Sequence, residues 1–184
     1  GGCFWGVQAV FQRVRGVEVA TAGYAGGSAA TASYGMTSTG RTGHAESVRV
    51  VYDPGRVSYG TLLRLFFTVV HDPTQKNRQG PDIGTQYRSA IWTTSPRQAR
   101  LAHDFIARLE RNGIFQRPIV TEVHPLDGFY PAETYHQDYL LHHPEQPYIA
   151  INDLPKVRAL RRDFPDLWRT DPAPWRTTGP RPEP

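Results

Sequence analysis

The chain has 184 residues, 39% hydrophobic and 21% charged, a globular composition that excludes disordered and fibrous classes. Its net charge of +4 rests on scattered arginines, with Lys76 and Lys156 as the lysines, and no basic stripe interleaved with aromatics marks a nucleic-acid face. The longest apolar-rich stretch, Leu62 to Val70, is interrupted by Arg64 and Thr68 and falls short of the ~18 residues of a membrane span, so no membrane partner is expected. A single cysteine excludes an internal disulfide and a cysteine-rich zinc site, and suits a reducing, cytoplasmic setting.

Phe4, Val7, Val10, Phe11 and Val14 recur at three- and four-residue steps, which predicts an amphipathic helix ended by Gly16. Gly1 opens directly on that helix, so a strand before it, if the fold uses one, is expected to lie upstream of this sequence. Val17 to Tyr24 reads as a strand, broken by Ala25-Gly26-Gly27. Residues 28–43, rich in Gly, Ser, Thr and Ala, form a loop long enough to carry function. Ser47 to Tyr52 is a strand that stops at Asp53-Pro54-Gly55.

Ser58 caps a second helix whose buried face is Leu62, Leu65, Phe66 and Val69. A second long polar loop covers His71 to Gln86, and Tyr87 to Thr93 is a strand. Ser95-Pro96-Arg97-Gln98 is a capping box opening a helix that ends at Asn112-Gly113. Pro118 to His124 is another strand, Ala132 to His142 a short helix, and a largely irregular C-terminal region follows. The order predicts an α+β fold built as a two-layer sandwich. One domain spans residues 1–169, and Thr170 to Pro184, with five prolines, is expected to be a disordered tail.

Cys3 falls at the start of the first helix, where free N–H groups and the helix dipole stabilise a thiolate, so a lowered thiol pKa is expected. Phe4 and Trp5 follow directly. Adjacent helical residues point about 100° apart, so one of them is free to line a pocket, and an aromatic wall beside a nucleophilic sulfur suits a thioether-like methyl group. Glu46 is delivered by the glycine-rich Gly40-Arg41-Thr42-Gly43-His44-Ala45-Glu46 at the start of a strand. His44-Ala45-Glu46 has the beginning of a zinc deaminase signature, but the second half needs cysteines that the chain lacks. The segment Asn77 to Ser89 is a polar loop running into a strand, a setting in which binding residues gather.

Other readings fit the bare residues. A cysteine hydrolase could draw its base from one of the seven histidines, and a non-catalytic binding module needs no reactive thiol at all. A metal site from His136, His142 and His143 lacks recognised ligand spacing, so none is expected.

Gly2-Cys3-Phe4-Trp5-Gly6, Gly23-Tyr24-Ala25-Gly26-Gly27, Thr42-Gly43-His44-Ala45-Glu46, His71-Asp72-Pro73-Thr74 and Gly84-Thr85-Gln86-Tyr87-Arg88-Ser89 stand in order along the chain. Tyr130-Pro131-Ala132-Glu133 and Tyr135-His136-Gln137 follow. With these blocks the sequence resembles the A-type peptide methionine sulfoxide reductases from Gly2 to about Trp168. The resemblance implies a ferredoxin-like plait and the thiol-dependent reduction of methionine (S)-sulfoxide, free or in oxidised proteins, as a repair activity. By it Cys3 is the nucleophile, Glu46 the acid that protonates the sulfoxide oxygen, and Phe4 with Trp5 the pocket for the substrate methyl. Tyr34 and Tyr87 match hydroxyl donors to that oxygen, and Asp82 the carboxylate that completes the polar site. Around Tyr34 the local sequence Ala32-Ser33-Tyr34-Gly35-Met36-Thr37 departs from the family's usual Asn-Pro-Thr-Tyr context. Ser38 stands where many relatives carry a cysteine, and the C-terminal region has none where many keep a resolving one. This implies the single-cysteine branch: a monomer with no bound cofactor or metal, regenerated by an external thiol such as thioredoxin, glutathione or glutaredoxin.

Overall fold

A computed structural model describes residues 1–175. Helix α1 (Phe4–Gln12) buries Phe4, Val7, Val10 and Phe11, as their spacing predicts, and leads into strand β1 (Val17–Ala25). A 3₁₀ turn and the short helix α2 (Tyr34–Thr37) punctuate the loop before β2 (Ala45–Tyr52). Ser58 caps α3 (Tyr59–Leu65), accepting from the Thr61 N–H at 3.0 Å, and a π-helical turn over Phe66–Val70 extends it. The hairpin β3 (Arg78–Gln79) and β4 (Asp82–Ile83) breaks up the second long loop. Then come β5 (Ala90–Thr93), α4 (Pro96–Arg111), β6 (Glu122–Pro125), β7 (Phe129–Pro131), α5 (Tyr139–His142) and α6 (Leu154–Asp163).

β1 is the centre of an antiparallel sheet ordered β2-β1-β7, with Tyr24 opposite Glu46 on one side and Tyr130 on the other. β5 and β6 form a separate parallel pair, as a crossover through α4 demands. The plait expected from the resemblance would join its strands in one sheet; here they divide into three small ones. A cleft of about 240 Å³, lined by Val48 and Val50 of β2 and Ile91 of β5, lies between them, and the Trp92 indole N–H reaches across to the Ser47 hydroxyl at 3.0 Å. The mixed α/β character holds.

α1 packs on β1 and β2 with one face and on α6 with the other, so the core runs through Val10, Val14, Leu65, Phe67, Ile149 and Leu160, all essentially inaccessible. The same helix carries two buried glutamines. Gln8 donates to Ala20 O and Gln137 Oε1, each at 2.9 Å, and Gln12 donates to Asp138 Oδ1 at 2.5 Å. These bonds explain one departure from expectation. The single helix expected over Ala132 to His142 is interrupted because Asp138 turns left-handed, φ 56°, so that Gln137 and Asp138 can meet α1.

The C-terminal region also differs from expectation, since α6 gives it regular structure: its Val157 and Leu160 fall on one face and are buried. The strand expected from Tyr87 begins at Ala90, because a 3₁₀ turn over Thr85–Tyr87 comes first. The strand expected from Pro118 starts at Glu122. Of the proline-rich tail, the first residues lie against the body: the Ala173 N–H donates to Gln12 O at 2.8 Å, and the Trp175 N–H to the Asp138 carboxylate at 3.1 Å. Residues 176–184 fall outside the described part.

Candidate active site

Cys3 is the N-cap of α1, with φ −56° and ψ 129°, and is 8% exposed. Two glycines around it are structural requirements. Gly2 holds φ at +84°, and a Cβ there would lie 2.7 Å from the Gln79 side chain. At Gly6 a Cβ would fall 2.1 Å from Asp153 Oδ1, because the buried Asp153 carboxylate, paired with Lys156 at 3.0 Å, presses on the first turn of the helix.

All seven residues singled out from the sequence (Cys3, Phe4, Trp5, Tyr34, Glu46, Asp82 and Tyr87) line one pocket of about 220 Å³, several times the ~30 Å³ share of a water molecule. Gln146 and Tyr148 complete it. Three loops reach the site and are tied together. Thr85 Oγ1 donates to Gly40 O at 2.8 Å, Gln86 Nε2 to Ser38 O at 3.2 Å, and the Gly2 N–H to Tyr87 O at 3.2 Å. His44 staples the turn after β1. Its Nδ1 accepts from the Gly27 N–H at 3.2 Å and its Nε2 bonds Ser28 O at 3.0 Å, a structural use of the motif histidine.

Glu46 is 5% exposed and accepts the Phe4 N–H on Oε2 at 2.9 Å. Burial pushes its pKa up to about 8; the Phe4 N–H pulls it down and the nearby Asp82 pushes it up. The carboxyl is therefore mostly protonated at neutral pH. Cys3 corrects an expectation. Burial, then the carboxyls of Glu46 and Asp153, push the thiol well above its ordinary range, and the Trp5 N–H at the helix start opposes them without prevailing. Desolvation outweighs the helix dipole here. The resting pair is thiol and carboxylic acid.

Aromatic rings form the rest of the wall. Phe4 is 1% exposed, and Trp5 stacks on Tyr139 with centroids 3.8 Å apart and planes 9° apart. Tyr148 stands edge-on to Trp5 at 5.9 Å, and its hydroxyl donates to Asp82 Oδ2 in a short bond. Tyr34 is 37% exposed, at the mouth, and its backbone N–H donates to Glu133 Oε1 at 2.8 Å. The hydroxyl of Tyr24 donates to Glu133 Oε2 at 2.7 Å. Burial pushes Glu133 up, but these donors, the Tyr34 N–H first, hold it below the usual carboxylate range. Burial and then the Glu46 carboxyl raise the phenols of Tyr34 and Tyr87, which keeps both as hydroxyl donors.

Sequence reasoning did not single out Tyr148, Gln146 or the clamp made by Glu133. The prolines at 144 and 147 mark a turn near the first two, but nothing local says that the turn faces Cys3. Among the described residues, no group of three or more His, Cys, Asp or Glu side chains is placed to hold a metal ion, and no helix is long and apolar enough to cross a membrane.

Comparison with known proteins identifies the family. The peptide methionine sulfoxide reductase family model matches residues 1–167. Peptide methionine sulfoxide reductase MsrA 2 of Synechocystis sp. is 54% identical over 166 residues, covering 90% of this chain and 78% of its own. MsrA 2 of Mesorhizobium japonicum is 52% identical over 172 residues, covering 94% and 88%. Among solved structures, reduced Mxr1 from Saccharomyces cerevisiae superposes with a TM-score of 0.72 at 33% identity, covering 79% of this chain and 83% of its own. Methionine sulfoxide reductase A of Corynebacterium diphtheriae gives 0.68 at 40% identity, covering 79% and 73%. The chain belongs to the peptide methionine sulfoxide reductase family.

Proposed function

We propose that this chain reduces methionine (S)-sulfoxide, free or in oxidised proteins, to methionine, with Cys3 as nucleophile and Glu46 as acid. The observation that carries the reading is a thiol and a neutral carboxylic acid facing one small pocket walled by Phe4 and Trp5. The sulfoxide sulfur is electrophilic, but its oxygen leaves only when protonated. Cys3 Sγ attacks the sulfur while Glu46 gives its proton to the oxygen. The thiol proton replaces the one Glu46 has lost, so the pair titrates as a coupled unit. Tyr34 and Tyr87 donate to the oxygen as negative charge grows on it, and Asp82, held by Tyr148, keeps the polar end ordered. The S–O bond then breaks as the hydroxyl passes to Cys3 Sγ, and the transient S–S bond breaks with it. The thioether leaves with the electron pair, so that Cys3 is left as a sulfenic acid.

With no second cysteine in the chain, an external thiol must attack that sulfenic sulfur, expel water and form a mixed disulfide, which a further thiol resolves. A thioredoxin, or glutathione with glutaredoxin, supplies this chemistry in a reducing cytoplasm. The proposed active unit is the monomer. The competing cysteine hydrolase needs a histidine base beside the thiol, and no histidine lines the pocket.

The test is an assay of each methionine sulfoxide epimer with and without a thiol donor. Reduction of the S epimer that stops without thiol is the expected result. Ester or amide cleavage that persists without thiol, or no turnover of either epimer, would sink the proposal.

A further inference from the structure

His136 has no part in the chemistry just described, yet its ring lies against three residues of the pocket wall. It is 2% exposed, in the 3₁₀ turn Thr134–His136, and its ring lies 5.1 Å from Phe4, 5.9 Å from Trp5 and 4.5 Å from Tyr34. The Trp5 indole N–H donates to His136 Nδ1 at 3.1 Å. An indole nitrogen can only donate, so Nδ1 carries the lone pair and the proton sits on Nε2. Burial lowers the pKa of the ring, against a weaker upward pull from Glu133, and so keeps it neutral. Nε2 is buried and has no hydrogen-bond partner among the described residues. Such an orphaned polar atom costs stability, so an apolar ring would serve packing better. What the imidazole adds is an acceptor.

That acceptor settles a freedom the other contacts leave open. Stacking on Tyr139 fixes the plane of the Trp5 indole, but a stacked ring can still slide or turn within its plane. Tyr148 meets the indole edge-on and is equally undirected. The bond to Nδ1 is directional and selects which edge of the indole faces the cavity.

We propose that His136 is a positioning residue of the methyl-binding wall: it fixes the in-plane orientation of Trp5, braces Phe4 and Tyr34, and thereby sets the affinity for the methyl end of the sulfoxide. The inference rests on the reductase reading above, and it makes a distinct demand. His136 should act on substrate binding and not on the thiol.

The experiment compares KM, kcat and the rate of Cys3 alkylation in His136→Phe and His136→Asn. Phenylalanine keeps a buried ring without an acceptor, whereas the asparagine amide oxygen falls near the place of Nδ1. For His136→Phe the expected result is a KM raised about tenfold, with kcat and alkylation within about twofold of wild type. His136→Asn should restore KM to within about threefold of wild type. In a Trp5→Phe background, His136→Phe should raise KM no further, because the bond it removes is already gone. A His136→Phe enzyme with unchanged KM would overturn the proposal, as would a full additional loss in the Trp5→Phe background. Where His136→Phe fails to fold, His136→Gln replaces it, since its amide lies one carbon farther out, and equal KM for the Asn and Gln variants would overturn the proposal. A wild-type protein inactive on every sulfoxide would instead remove the reductase reading itself.

Discussion

Glu46 and Glu133 both serve the pocket, Glu46 from β2 and Glu133 from the turn after β7. Glu46 is almost wholly buried and receives one backbone N–H, from Phe4. Glu133 is half-buried and receives the Tyr34 N–H and the Tyr24 hydroxyl. Burial dominates in the first case and lifts the carboxyl to a pKa of about 8; donors dominate in the second and keep it ionised. One residue type is thus a neutral carboxylic acid in one place and an anionic clamp in another. The difference lies in the balance of water lost and hydrogen bonds gained, which no local sequence pattern displays.

The sharpest way to break this contrast is to remove each carboxyl in turn. Glu46→Gln should cut kcat/KM about 100-fold, the size of a lost general acid. Glu133→Gln loses one good hydrogen bond and should cost about fivefold. Steady-state kinetics with the S epimer decides, and losses of equal size would mean that both carboxyls act in the same way. Between these two in size, Tyr148→Phe frees Asp82 from its donor and should lower kcat/KM about tenfold, without changing Cys3 alkylation. The pH profile then tests the acid directly. Wild-type kcat/KM should fall as pH rises through about 8, where Glu46 ionises. A profile flat to pH 10 would show that the acid is another group.

The smallest effects are on stability, and their signs oppose. The folded protein holds the Glu46 proton more tightly than the unfolded chain does, so this contribution is full below the ordinary 4.5 and is lost as pH climbs towards about 8. Glu46→Gln, which mimics the protonated form, should melt about 5 °C above wild type at pH 9 and level with it at pH 4. Glu133 is shifted downward, so its contribution is present above the usual carboxylate pKa and fades in acid. Glu133→Gln should melt about 1–2 °C below wild type at neutral pH, after allowance for solvent screening, and the gap should close at low pH. Thermal melts at both pH values read these differences.

Much of the chemistry was legible because it is local. Cys3, Phe4 and Trp5 are consecutive, and their helix follows from the spacing of apolar residues. Ser58 and Ser95 cap their helices as side-chain chemistry says they should. What stayed hidden depends on partners far along the chain. Gln137 and Asp138 read as helix residues until Gln8 and Gln12 claim their side chains, and Tyr148 becomes part of the site only through Asp82 and Trp5. The raised thiol pKa escapes the sequence for the same reason. The helix start is visible in sequence, but the surroundings that desolvate Cys3 are not.

The close approach of Asp153 to Gly6 constrains how this sequence can drift. The two positions share one small volume beneath the first turn of α1, so a methyl group gained at one needs room given up at the other. A side chain gained at residue 6 requires the Asp153 carboxylate to move or residue 153 to be shorter. The first turn of α1 and the residue that leads into α6 are therefore bound to change in step.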